Sequence, residues 1–182
     1  SVFFCSFIAV ADSVASFFQG HDYTGAALAR FFSLASVQRA SLNPQELRLR
    51  GLLVDGAVLH PERAGSYRPL GTQAVISFTA VQQDDPATEA DESIDARGRE
   101  SVMLHEISHG EFFTNATYRA HCWDFWRRQM TERERKVFRL YLEGLDYNPR
   151  DQEMMVNEMQ ALLMHRPDAR GFNASSLGVS EA

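Results

Sequence analysis

Apolar and polar positions follow several distinct rhythms along this chain. From Asp22 to Ser36, Tyr23, Ala27, Leu28, Phe31, Phe32 and Leu34 recur at helical spacing, so the pattern predicts a helix there. Asn43 followed by Pro44 reads as a cap with proline at the first helical position, and that helix should run through Leu47 and Leu49 to Gly51. Residues 55–71 hold Gly56, Pro61, Gly65, Pro69 and Gly71, which predicts an irregular connection. Thr72 to Val81 is the clearest strand, rich in the β-formers Val75, Ile76, Phe78 and Thr79. The acidic tract 84–95 reads as a solvated loop; cation binding is the less favoured alternative, and its position would let it gate a cleft.

The second half is helical in pattern. One helix should start near Arg99 to Ser101 and carry Val102, Leu104 and Ile107; another should run from Tyr118 to Gln129. Thr131 with Glu134 spells a capping box, opening a helix with Val137, Phe138 and Tyr141 that ends at Gly144. Asn148-Pro149 repeats the cap-plus-proline signal, and the last helix should reach about His165 before Pro167 stops it. The fold class expected is therefore α+β: a mostly helical domain with a small sheet whose edge strand, about 72–81, lies beside the helix carrying residues 105–109. The whole chain, 1–182, reads as a single domain, with a helical N-terminal region up to residue 70.

Composition narrows the classes. The chain has 182 residues, 45% hydrophobic and 23% charged, enough for a sizeable core. A formal net charge of −6 and the lack of a basic run argue against general affinity for nucleic acid or anionic membranes. No segment reads as a membrane span; the apolar opening from Val2 to Val10 is too short and lacks a basic flank, so it reads as a buried strand or helix. The start at Ser1 is taken as a sign of processing, a slight pointer to export. Cys5 and Cys122 form neither a CxxC unit nor a disulfide framework and read as small buried residues.

The chemistry concentrates in His105-Glu106-Ile107-Ser108-His109. Histidines four apart share one helix face, so their imidazoles can converge on one tetrahedral zinc ion. Glu106 points to the adjacent side, where it can take a proton from metal-activated water. Composition alone yields such a pattern in about one of a hundred chains this size, so context matters. A catalytic zinc needs a third protein ligand. The HExxHxxGxxH arrangement would require Gly at 112 and His at 115, but the chain has Phe112 and Asn115, and His121 is misplaced for that role. Glu158, 49 residues beyond His109, sits among Met154, Met155, Val156, Met159, Leu162 and Leu163. A carboxylate on so apolar a helix needs a charge partner or a metal if buried; the bland alternative is an exposed stripe or pairing with arginine.

His105–His109 followed by Asn157-Glu158 resembles the gluzincin clan of zinc metallopeptidases, over about residues 72–166. The resemblance implies zinc held by His105, His109 and Glu158, Glu106 as general base, a peptide or protein substrate, and a strand beside the motif helix running antiparallel to that substrate. Many gluzincins carry an Asp four residues after the ligand Glu to orient a zinc-binding His; here Leu162 stands there, so support must come from elsewhere, with Asn157 or Gln160 as options. An oxyanion donor is also expected, from among Tyr118, His121, Tyr147 and His165, each of which has a bland reading as a core tyrosine or helix-end cation. His21 and His60 read as surface residues. Alternatives remain: a zinc hydrolase acting on a non-peptide substrate, a degenerate zincin serving as a binding or regulatory module, or a chance HExxH in an unrelated helical domain.

Overall fold

The computed structural model describes residues 2–4, 20–81, 83, 93–164, 172 and 174–178. Cys5, His165, Pro167 and most of the acidic tract lie outside the described residues. The chain is mostly helical with two small sheets, an α+β arrangement as its patterning predicts. Strands β1 (Val2–Phe4), β2 (Gly20–Thr24) and β5 (Ala74–Phe78) form one sheet, and β3 (Leu59–Pro61) pairs antiparallel with β4 (Tyr67–Pro69) in the other. The helices are α1 (Gly25–Gln38), α2 (Pro44–Asp55), α3 (Ala96–Thr114), α4 (Ala116–Asp124), α5 (Glu132–Glu143) and α6 (Gln152–Leu163).

Strand β5 does pack on α3, the helix of the HExxH motif. It is not the edge strand, however. The order is β1-β5-β2, with β1 parallel and β2 antiparallel to β5. Ala74, Val75 and Ile76 are successively buried, at 0%, 3% and 0% exposure, so both faces of β5 are covered. An unbroken apolar run of this kind belongs to an interior strand, whereas an edge strand tolerates polar residues such as His21 and Asp22 of β2.

Two other expectations are corrected by long-range pairing. Residues 22–24 are strand, not helix, because β5 recruits them in register, Asp22 opposite Ile76 and Thr24 opposite Ala74. Helix α1 starts only at Gly25, where the Thr24 hydroxyl accepts the Ala27 amide at 3.1 Å. The 55–71 connection is not irregular throughout, since it contains the β3–β4 pair, with Pro61 and Pro69 at strand ends where no ladder donor is required. Helix α2 continues past Gly51 to Asp55.

The other helices follow their signals with shifts of a turn or less. Asp95 caps α3, accepting the Gly98 amide at 2.7 Å, so that helix begins earlier than its apolar positions imply. The Thr131–Glu134 capping box is present at the start of α5. The segment expected as one helix to Gln129 is α4 followed by a π-helical turn over Phe125–Gln129. Helix α6 is capped by Asp151, not Asn148; the Asn148 side chain instead accepts the Arg150 amide and closes a turn.

Two hydrophobic clusters flank α3. One joins Leu28, Phe32, Leu53, Val58, Leu59 and Val75 of the N-terminal half. The other joins Phe112, Trp126, Phe138, Leu142, Met155, Val156 and Met159 of the C-terminal half and includes buried Cys122. Helix α3 contacts both the β2–β5 sheet and α6, and this sandwich fixes which of its faces can carry chemistry.

Candidate metal centre

Helix α3 presents His105 and His109 toward α6, α6 presents Glu158 toward α3, and Glu106 lies against Gly20 of β2. The two imidazole Nε2 atoms lie 3.0 Å apart, with the rings edge-on at an interplanar angle of 86°. Glu158 Oε2 lies 3.8 Å from His105 Nε2 and 3.7 Å from His109 Nε2. Donors bound at ~2.1 Å to a tetrahedral ion are separated by about 3.4 Å, so all three edges of this triangle are near the required length. The i, i+4 spacing fixes the histidine edge, and the packing of α6 on α3 supplies the other two.

Burial dominates the electrostatics of this cluster. His109 and Glu158 are 1% and 6% exposed, and Glu106 is 5% exposed. Burial, then the Asp22 and Glu158 carboxylates, push the Glu106 carboxyl up to about 8. Burial also pushes Glu158 upward, with Asp22 adding to it and His109 and a Tyr147 hydrogen bond opposing it. Glu106 Oε2 is buried with no hydrogen-bond partner among the described residues. A divalent ion among these donors would reverse the balance, holding Glu106 and Glu158 ionised as a base and a ligand must be. The donor set of two imidazoles and a carboxylate suits zinc and leaves a fourth position open.

Asp22 is the residue that sequence reasoning missed. Its carboxylate, a Glu106 oxygen and a His109 ring nitrogen lie within 4.8 Å of one another. It reaches the centre only because β2 pairs with β5 and both pack on α3, a relation no local pattern encodes. Thr24-Gly25 offered one usable signal, a helix cap that releases residues 20–24 for a strand. Gly20 was missed too: a Cβ there would overlap the Glu106 carboxylate, so a bare backbone is what lets β2 lie against the base.

Of the proposed oxyanion donors among the described residues, Tyr147 alone reaches the centre; His165 lies outside them. Tyr147 follows α5, next to Asp146 in a left-handed conformation (φ 66°), and it hydrogen-bonds Glu158. Burial, then the Glu158 charge, push its phenol far above the ordinary value. Tyr118 is turned elsewhere, donating to Gln160 Oε1 at 2.7 Å. His121 is exposed on α4. Asn157 and Gln160 do not support the histidines; they bond each other at 3.2 Å. Leu162 belongs to the hydrophobic cluster, and His109 Nδ1 has no hydrogen-bond partner among the described residues. His60 is exposed as expected, but His21 is half-buried, 3.4 Å from Ser77 Oγ.

No protein-family model matches the chain, and neither a curated protein nor a solved structure matches it. A cleft of about 550 Å³ opens beside the candidate centre, lined by β2 residues including Asp22, by Phe113 and Tyr147, and by Asp151, Asn157 and Glu158 of the α6 region. Among the described residues no helix is long and apolar enough to cross a membrane.

Proposed function

We propose that this protein is a zinc-dependent hydrolase of peptide bonds, of the gluzincin kind. The observation that carries the reading is the triangle of His105 Nε2, His109 Nε2 and Glu158 Oε2, with edges of 3.0 to 3.8 Å and an unpartnered Glu106 oxygen beside it. Zinc, when bound, supplies an acidified water and Lewis-acid polarisation of the scissile carbonyl.

The remaining steps belong to the chain itself. Glu106 accepts the proton as the carbonyl is attacked and delivers it to the departing amine. Gly20 lets that carboxylate lie tightly against β2, limiting its rotation. Tyr147 lines the cleft beside Glu158 and would supply a hydroxyl donor to the developing oxyanion; its high pKa keeps the proton on the phenol. Strand β2, at the end of the sheet order, takes the substrate-pairing role that the sequence suggested for 72–81. Its outer edge offers backbone donors and acceptors to an extended peptide.

Screening zinc-loaded protein against a peptide mixture tests the reading, with Glu106→Gln as the control. Cleavage that is lost both in Glu106→Gln and on chelation is expected. A zinc-loaded protein that cleaves no peptide but hydrolyses small esters or amides would overturn the peptide assignment.

A further inference from the structure

The cleft is more acidic than a single zinc site requires. Its lining includes Asp22, Asp151, Glu153 and Glu158, and none of its lining residues is lysine or arginine. Two of these charges are already engaged: Asp151 caps α6 through the Met154 amide, and Glu153 pairs with Arg119 at 2.7 Å. Glu158 is assigned to the metal. Asp22 has no hydrogen-bond or ion-pair partner among the described residues, although it is half-buried. A Glu106 oxygen lies within 4.8 Å of the Asp22 carboxylate, but Glu106 is buried behind the lining, so Asp22 is the lining carboxylate left without a donor.

One dication cannot neutralise the Asp22, Asp151 and Glu158 carboxylates that line the cleft, so it stays anionic with metal bound. A low-dielectric cleft of one sign concentrates ligands of the other. An ammonium group carries three donors on a compact charge, which suits an unpartnered carboxylate in a cleft lined by no lysine or arginine better than a planar or neutral group does. We infer that Asp22 anchors an ammonium group of the substrate, so that the cleft selects peptides presenting a positive charge close to the bond at the metal centre. This rests on the peptidase reading of the same cleft and names its substrate class. The ammonium has two possible sources, a free N-terminus or a lysine side chain, and Asp22 would serve as a specificity residue for either.

The test uses zinc-loaded Glu106→Gln protein, which binds without turnover, with metal content measured on the same samples and on wild type. Three probes are titrated: trialanine amide with a free N-terminus, its N-acetyl form, and N-acetyl-Ala-Lys-Ala amide. At least one ammonium-bearing probe should bind about tenfold tighter than the neutral one, with the gap shrinking in high salt. Which of the two does so identifies the source. Adding Asp22→Asn should remove the preference and leave zinc content unchanged, whereas adding Asp22→Glu should keep much of it. Equal binding of all three probes overturns the inference, as does a preference untouched by Asp22→Asn. A second metal equivalent per chain, lost in Asp22→Asn, overturns it by giving the Asp22 charge to a cation. An ammonium preference in protein that holds no zinc would instead sink the hydrolase reading and leave the anchor standing.

Discussion

Helices α5 and α6 are consecutive, each twelve residues long, and treat charge in opposite ways. In α5 only Phe138 and Leu142 are buried, and its charges face water: Glu132 pairs with both Arg135 and Arg139 at 2.9 Å, on the surface. In α6 every residue from Met155 to Leu162 is buried, including Asn157, Glu158 and Gln160. Solvent and arginine stabilise the α5 carboxylates, and both Glu132 and Glu134 are lowered in pKa by hydrogen bonds. Glu158 has two histidines and a tyrosine, and it is raised by burial. Water satisfies charge on one helix, and on the other a buried carboxylate faces the point where two imidazoles converge.

The sharpest way to break this comparison is Glu106→Gln. Peptide hydrolysis should fall by about 10²–10⁴-fold while bound zinc is retained, measured by turnover and metal content together. Loss of metal in that variant would make Glu106 a ligand and not a base.

Glu158→Gln comes next. It should abolish zinc binding yet raise the melting temperature of the metal-free protein, because a carboxyl whose charged form burial disfavours becomes a neutral amide of the same shape. The α5 counterpart, Glu132→Gln, should lower the melting temperature slightly and do nothing to metal binding. Calorimetry of the two variants side by side checks the contrast; destabilisation of the metal-free protein by Glu158→Gln would contradict it.

Adding zinc at roughly a hundred times its Kd should stabilise the wild type by about 2.7 kcal/mol, read as a thermal shift that chelator reverses. The pH dependence of the chelated form follows from Glu106. A carboxyl whose folded pKa is raised favours the folded state while protonated, so this contribution is full below the unfolded value near 4.5 and is lost as pH rises toward about 8. Thermal melts of chelated protein across that window should show the decline, and Glu106→Gln should flatten it. The α5 carboxylates run the other way: their contribution is present above the unfolded value and lost as pH falls through their lowered pKa values, and it is the smallest effect here because both are fully exposed.

The part of the site lying within helices was legible in the sequence. The spacing of His105 and His109 is a helical repeat, and the apolar neighbours of Glu158 gave its burial away. The helical α+β class followed from the same periodicities, and the Asn43 and Thr131 caps formed where their residue types called for them. What escaped depends on pairing between distant segments. Asp22 and Gly20 join the centre through a strand whose partner, β5, is some fifty residues away. The five residues of β2 carry too few apolar positions to announce a strand, and the apolar spacing of α1 extended back over them. Tyr147 depends on a tight turn after α5, which selects it over Tyr118 for reasons of backbone direction rather than residue type.

Hydrolysis at this centre requires that the triangle of His105, His109 and Glu158 hold a metal ion. Elemental analysis of the wild type and Glu158→Gln, purified in parallel and reloaded with zinc, is the direct measurement. About one zinc per wild-type chain and almost none in Glu158→Gln is the predicted result. A wild type that takes up no zinc, or a Glu158→Gln that holds it as firmly, would contradict the claim.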